Sequence, residues 1–124
     1  MERKKILIAD DETEVLQMLT EKLQKQEYRV TGVLSGSEVM QRCKIRKPDL
    51  VILDIAMPDM GGYAVAHALH QDKELENVPI LFLTGKELDH RGIEKRIEEL
   101  GAYDYLMKPC TLEDLTAKIK EIIG

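Results

Sequence analysis

The sequence predicts an α/β fold, five short strands alternating with five helices as a doubly wound (βα)5 around one parallel sheet. Three observations carry that prediction. Runs such as LVIL at 50–53 and ILFL at 80–83 are apolar without alternation, as expected of central parallel strands covered by helices on both faces. The stretches between the strands repeat apolar residues at helical spacing. All four prolines flank strands, Pro48 and Pro79 at entrances and Pro58 and Pro109 beyond exits, where a missing N–H costs no ladder bond.

Taken in order, residues 5–10 read as the first strand, ending in Asp10 and Asp11. Val15, Met18, Leu19 and Leu23, spaced i, i+3, i+4, i+8, mark the core face of the helix that follows. Residues 28–33 form the second strand. Ser35 with Glu38 has the pattern of a capping box opening the second helix, on which Cys43 reads as core packing. Residues 49–54 form the third strand, ending in Asp54, and His67 and His70 ride the third helix at solvated positions. Residues 79–84 end in Thr84. Ile93, Ile97 and Leu100 give the fourth helix its face, with His90 near its start. Residues 103–107 precede Lys108, and Thr111 with Asp114 caps a last helix carrying Leu112, Leu115, Ile119 and Ile122. Right-handed crossovers join the strands. Nothing resembling a linker, repeat or low-complexity stretch interrupts them, so residues 1–124 read as one domain.

Composition limits the function. A domain of 124 residues buries roughly two thirds of the surface its unfolded chain exposes, enough for a core without disulfides or metal staples. A net charge of −5 argues against a sequence-independent grip on nucleic acid, and the basic opening MERKK reads as a solvated chain start. No apolar run approaches the ~20 residues of a membrane span, and KKILIAD reaches its acidic pair too soon for a signal peptide. The expected location is the cytoplasm. Cys43 and Cys110 match no metal-ligand spacing and suit a reducing compartment. Cys110, close to the strand ends, reads as a packing or surface residue.

In a parallel sheet the carboxyl ends of the strands open onto one crevice, so Asp10, Asp11, Asp54, Thr84 and Lys108 are expected to meet there. Asp54 ends the most apolar strand, and a buried lone carboxylate costs several kcal/mol unless it is paired. Three carboxylates at one place call for a cation. Mg²⁺ suits them, since it prefers oxygen ligands and takes one or two carboxylates together with a phosphate oxygen. Lys108 adds a compact positive charge and Thr84 a hydroxyl donor. The set fits covalent phosphoryl transfer with Asp54 as the nucleophile. Such transfer needs positioning and charge neutralisation rather than a general base.

These motifs resemble those of the receiver domain of two-component response regulators. IADDE is similar to the family's acidic pair, LVILDIAMPDMGG to its phosphoacceptor strand and loop, ILFLTG to the strand bearing the switch hydroxyl, and GAYDYLMKP to the last strand with its Lys-Pro step. The resemblance covers the whole chain. It implies strand order 2-1-3-4-5, as in flavodoxin-like folds. It also implies that Asp54 accepts a phosphoryl group from a sensor histidine kinase or phosphotransfer protein. Asp11, Asp54 and the Ala56 backbone carbonyl would hold Mg²⁺, with Asp10 acting through water. Thr84 and Lys108 would hold phosphoryl oxygens, Tyr105 would turn inward with Thr84, and the bond before Pro109 would be cis. The chain would assist its own phosphorylation and dephosphorylation as a signalling domain rather than an enzyme. Its fourth helix, fifth strand and fifth helix, roughly 86–122, would switch toward a downstream target, as a monomer or a phosphorylation-dependent homodimer, without touching nucleic acid or membrane. Ala56, Gly85 and Lys86 depart from common family choices and are expected to tune acyl-phosphate lifetime. The alternative is a pseudo-receiver that binds partners without phosphorylation. An FMN carrier is disfavoured by the acidic loop ADDETE, and a haloacid-dehalogenase-type phosphatase by the lack of its DxD pattern.

Overall fold

The computed structural model describes residues 2–85 and 90–124, with His90 described by its backbone alone. Lys86 lies outside the described residues. The elements are β1 (Lys5–Ala9), α1 (Thr13–Lys25), β2 (Arg29–Val33), α2 (Gly36–Ile45), β3 (Leu50–Leu53), α3 (Gly62–Gln71), β4 (Ile80–Thr84), α4 (His90–Leu100), β5 (Asp104–Met107) and α5 (Leu112–Ile123). All strand pairs are parallel, in the order β2-β1-β3-β4-β5.

The unbroken apolar runs have a direct cause. In β1, β3 and β4, Leu7, Ala9, Val51, Leu53, Ile80 and Phe82 face a core completed by Val39, Cys43, Val65, Leu69 and Ile93 of α2, α3 and α4. Their neighbours Ile6, Ile8, Leu50, Ile52, Leu81 and Leu83 face the opposite core, closed by Leu16, Leu19 and Leu23 of α1 and Leu115 and Ile119 of α5. Both sheet faces are buried, so both strand parities must be apolar.

Local chemistry sets the helix ends. Thr111 Oγ1 accepts from the Asp114 N–H at 3.0 Å, as its spacing predicts. Ser35 stands at the N-cap of α2, but its hydroxyl bonds the Glu38 carboxylate at 3.2 Å and caps no backbone N–H. Asp59, from the loop after β3, accepts from the N–H groups of Gly36 at 3.1 Å and Ser37 at 3.2 Å instead. The Ser37 hydroxyl and these N–H donors hold the Asp59 carboxyl down to about 2. In α1 the expected Met18 is 45% exposed and Leu16 is buried in its place, because the face turned to the sheet is Leu16, Leu19 and Leu23.

α1 closes with Glu27 N–H bonded to the Gln24 carbonyl and Tyr28 N–H to the Leu23 carbonyl, both backward bonds of a Schellman motif. That motif places Glu27 at φ 70, a left-handed conformation that favours glycine. Glu27 also sets a negative charge at the negative end of the helix dipole. Glu27→Gly is therefore expected to raise stability by about 1 kcal/mol. Urea denaturation would check this; an unchanged or lower midpoint would contradict it.

Candidate functional site

The crevice at the carboxyl ends of β1, β3, β4 and β5 is assembled by backbone bonds between adjacent strands. The Asp10 N–H donates to the Val33 carbonyl at 3.1 Å, and the Asp54 N–H donates to the Ala9 carbonyl at 2.9 Å. Both aspartates are thus fixed side by side just beyond their strands, and both are buried. Asp10 Oδ1 accepts from the Glu12 N–H at 2.9 Å, a local turn that swings Glu12 back over the crevice. Asp54 Oδ1 likewise accepts from the Ala56 N–H at 3.3 Å.

Lys108 enters from the far side. Its N–H donates to the Thr84 carbonyl at 2.6 Å, and the Lys108-Pro109 peptide bond is cis, as the family resemblance implies. Its ammonium lies 2.5 Å from Asp10 Oδ2, 3.4 Å from Asp54 Oδ2 and 3.5 Å from Glu12 Oε1. Burial opposes the charged ammonium, but the hydrogen bond to Asp10 and the charges of Asp10, Asp54 and Glu12 outweigh it and leave the Lys108 pKa raised. Asp54 behaves differently. Burial raises its pKa and, together with the smaller effect of the Asp10 charge, outweighs the lowering by Lys108 and the Ala56 N–H. The ammonium is closer to Asp10, so Asp54 is the less compensated carboxylate.

Carboxylate oxygens of Asp10, Glu12 and Asp54 lie within 4.8 Å of one another. Asp11, expected as a ligand, is exposed and stands outside this cluster. Asp10 and Glu12 turn inward and the residue between them turns out, as successive residues leaving a strand do. Glu12 was not anticipated from the sequence, although it is the third acid of the DDE run. Thr84 is fully buried, and its Oγ1 has no hydrogen-bond partner among the described residues. A buried hydroxyl without a partner is uncommon enough to point to a ligand that supplies one. Three oxygen donors and this vacant hydroxyl fit a hard divalent cation together with a phosphoryl oxygen.

The remaining expectations divide. Tyr105 is half-buried in β5, in register with Phe82, and burial and the Glu94 carboxylate push its phenol up. Ala56 is exposed beside Asp54, and a side chain added at Gly85 would meet nothing described within 4 Å. His67 and His70 are exposed, as read. Burial pushes the Cys43 thiol up to about 11. Cys110 packs, partly buried, against the second core, and burial and the Asp114 charge raise its thiol. Gly62 is tightly constrained, since a Cβ there would sit 2.4 Å from the Asp54 carbonyl oxygen and 2.9 Å from Ile55 Cα. Gly62→Ala must displace backbone at the site, and we expect it to destabilise the chain by about 3 kcal/mol. Thermal denaturation checks this, and a shift below a third of that size would show that the loop yields freely.

The family model for the response regulator receiver domain matches residues 6–120. The chain belongs to that family. Receiver domains of this kind are signalling domains of two-component response regulators. The alkaline phosphatase synthesis transcriptional regulatory protein PhoP of Bacillus subtilis is 35% identical over 120 residues, covering 97% of this chain and 48% of that protein. This receiver domain thus spans about half the length of that relative. A response regulator of Chloroflexus aurantiacus superimposes with a TM-score of 0.90 at 32% identity, covering 98% of each chain. The Vibrio cholerae chemotaxis protein CheY4 does so with 0.90 at 27% identity, covering 97% of this receiver and 98% of that chain. No helix among the described residues is long and apolar enough to cross a membrane.

Proposed function

We propose that Asp54 is the phosphoacceptor of this receiver domain. The observation that carries this reading is a buried carboxylate of raised pKa flanked by an ammonium and, at the end of the neighbouring strand, a buried hydroxyl without a partner among the described residues. An Asp54 oxygen attacks phosphorus in a phosphohistidine of a sensor histidine kinase or phosphotransfer protein. The P–N bond breaks, an acyl phosphate forms, and the histidine nitrogen leaves with the electron pair. Lys108 releases part of its contact with Asp10 and Asp54 to hold one phosphoryl oxygen, and Thr84 Oγ1 donates to another. Mg²⁺, when bound, neutralises charge that the phosphoryl group brings to the carboxylates. Asp10, Glu12 and Asp54 face the place it would occupy, and Asp11 and the Ala56 carbonyl at the rim complete the ligand set implied by the family resemblance.

The domain, residues 1–124, assists its own phosphorylation and dephosphorylation in the cytoplasm. Donation by Thr84 draws it toward the phosphoryl group and lets Tyr105 turn inward, which biases the α4, β5 and α5 surface toward a downstream protein partner. The partner sees a monomer or a phosphorylation-dependent homodimer, and the domain itself grips neither nucleic acid as a polymer nor membrane.

Intact mass after incubation with Mg²⁺ and a small acyl-phosphate donor tests the assignment. The native chain is expected to gain one labile phosphoryl group, and Asp54→Ala none. A gain that persists in Asp54→Ala would place the acceptor elsewhere. Absence of both phosphoryl gain and Mg²⁺ binding would favour the pseudo-receiver reading.

A further inference from the structure

At the opposite end of the sheet, about 16 Å from Asp54 along a five-residue strand, a cavity of about 250 Å³ opens between β1, β2 and the last turn of α2. It exists because α2 covers only the carboxyl half of the edge strand. Val33 is buried beneath α2, whereas Arg29 and Thr31 are exposed. Four cations line the cavity: Lys5, Arg29, Arg42 and Arg46.

Their arrangement is unfavourable for the protein alone. Lys5 and Arg29 are register partners on adjacent strands, where like charges repel. Arg42 and Arg46 stand four residues apart at the end of α2, where like charges repel again. The helix dipole accounts for about half a charge there, far less than this set. No ion pair joins any of the four to a carboxylate among the described residues. The contrast with Lys44 is informative, because Lys44 on the same turn reaches Asp72 at 3.7 Å. Asp49, the acid nearest in sequence to this turn, accepts the backbone N–H of Lys5 at 2.7 Å.

We infer that this cavity binds a nucleotide carrying at least two phosphate groups. Guanidinium forks match phosphate oxygens two at a time, and three of them around one concavity suit adjacent phosphates. Leu7, Pro48 and Ile45 supply an apolar wall for a ring, and Ile45 is left 80% exposed without such a cover. The volume falls just below the usual range for ligand pockets, which leaves room for no more than a mononucleotide. A concave site facing one small region also differs from the extended basic stripe that tracks a nucleic-acid backbone.

Amide NMR spectra of the 124-residue chain in metal-free buffer, titrated separately with ADP, pyrophosphate and adenosine, test the proposal. ADP is expected to give saturable shifts at residues 5–7, 29–31 and 42–48, with pyrophosphate about tenfold weaker and adenosine silent. The double variant Arg29→Ala, Arg46→Ala is expected to weaken ADP by about tenfold or more while accepting phosphoryl at Asp54 as before. Shifts that do not saturate, that centre on Asp10 and Asp54, or that persist in the double variant would overturn it. So would pyrophosphate binding as tightly as ADP, or an oligonucleotide binding more tightly than ADP with a steep salt dependence.

Discussion

Lys108→Met is expected to destabilise the domain by about 3 kcal/mol at neutral pH, because it removes the one cation among the described residues that lies between two buried carboxylates. Asp10 and Asp54 would then face each other with only backbone donors to offset them. The loss should depend on pH in a definite sense. Asp54 already has a raised pKa from burial, and without Lys108 it rises further. A carboxyl raised in the folded state contributes stability below its unfolded pKa of about 4 and loses it as pH rises through the folded value. The variant should therefore approach the native chain near pH 4 and fall away above it. Mg²⁺ should restore more stability to the variant than to the native chain, because no ammonium competes for the carboxylates. Urea melts at two pH values, with and without Mg²⁺, measure both effects. A deficit independent of pH and Mg²⁺ would mean that Lys108 acts through packing of its stem. Phosphoryl uptake should also fall sharply, since no other cation among the described residues lies against Asp54.

The architecture was legible because the evidence was local and redundant. LVIL and ILFL lie between two cores, and that burial shows as apolarity without alternation. Asp10, Asp54 and Lys108 follow their strands directly and Thr84 ends its own, so the topology that brings strand ends together also assembles the site. What escaped the sequence depends on small rotations or distant contacts. Leu16 rather than Met18 faces the sheet because a helix's rotation about its axis is fixed by packing, which apolar spacing resolves only to about one residue. Glu12 joins Asp10 and Asp54 at the site through a turn made by Asp10 Oδ1. Asp59 takes over the cap expected of Ser35 from 24 residues away, as no capping pattern within α2 could reveal. The basic cavity is likewise built from residues 5, 29, 42 and 46, whose charges look unremarkable until β2 and α2 are placed together.

Thr84 shows why the site is poised rather than optimised. Its hydroxyl is buried without a partner among the described residues at the end of the fully buried strand β4, and an unmet buried polar group costs about 1–3 kcal/mol. Thr84→Val keeps the branched shape that β4 packs and removes the unmet donor. Before phosphorylation the variant is expected to be more stable than the native chain by about 1 kcal/mol, a rise of about 3 °C in Tm for a domain of this size. After phosphorylation the order should reverse. The native hydroxyl gains a charged acceptor that the valine cannot use, so phosphoryl transfer should raise the native Tm and leave the variant's nearly unchanged. Amide shifts across α4 and β5 on phosphorylation should shrink in the same variant, because the pull on Thr84 that biases this surface is gone. Scanning calorimetry of both chains, with and without the acyl-phosphate donor, separates these effects. A lower Tm for unphosphorylated Thr84→Val would mean that the hydroxyl is already satisfied in the resting protein, and the switch would then have to draw its energy from elsewhere in the site.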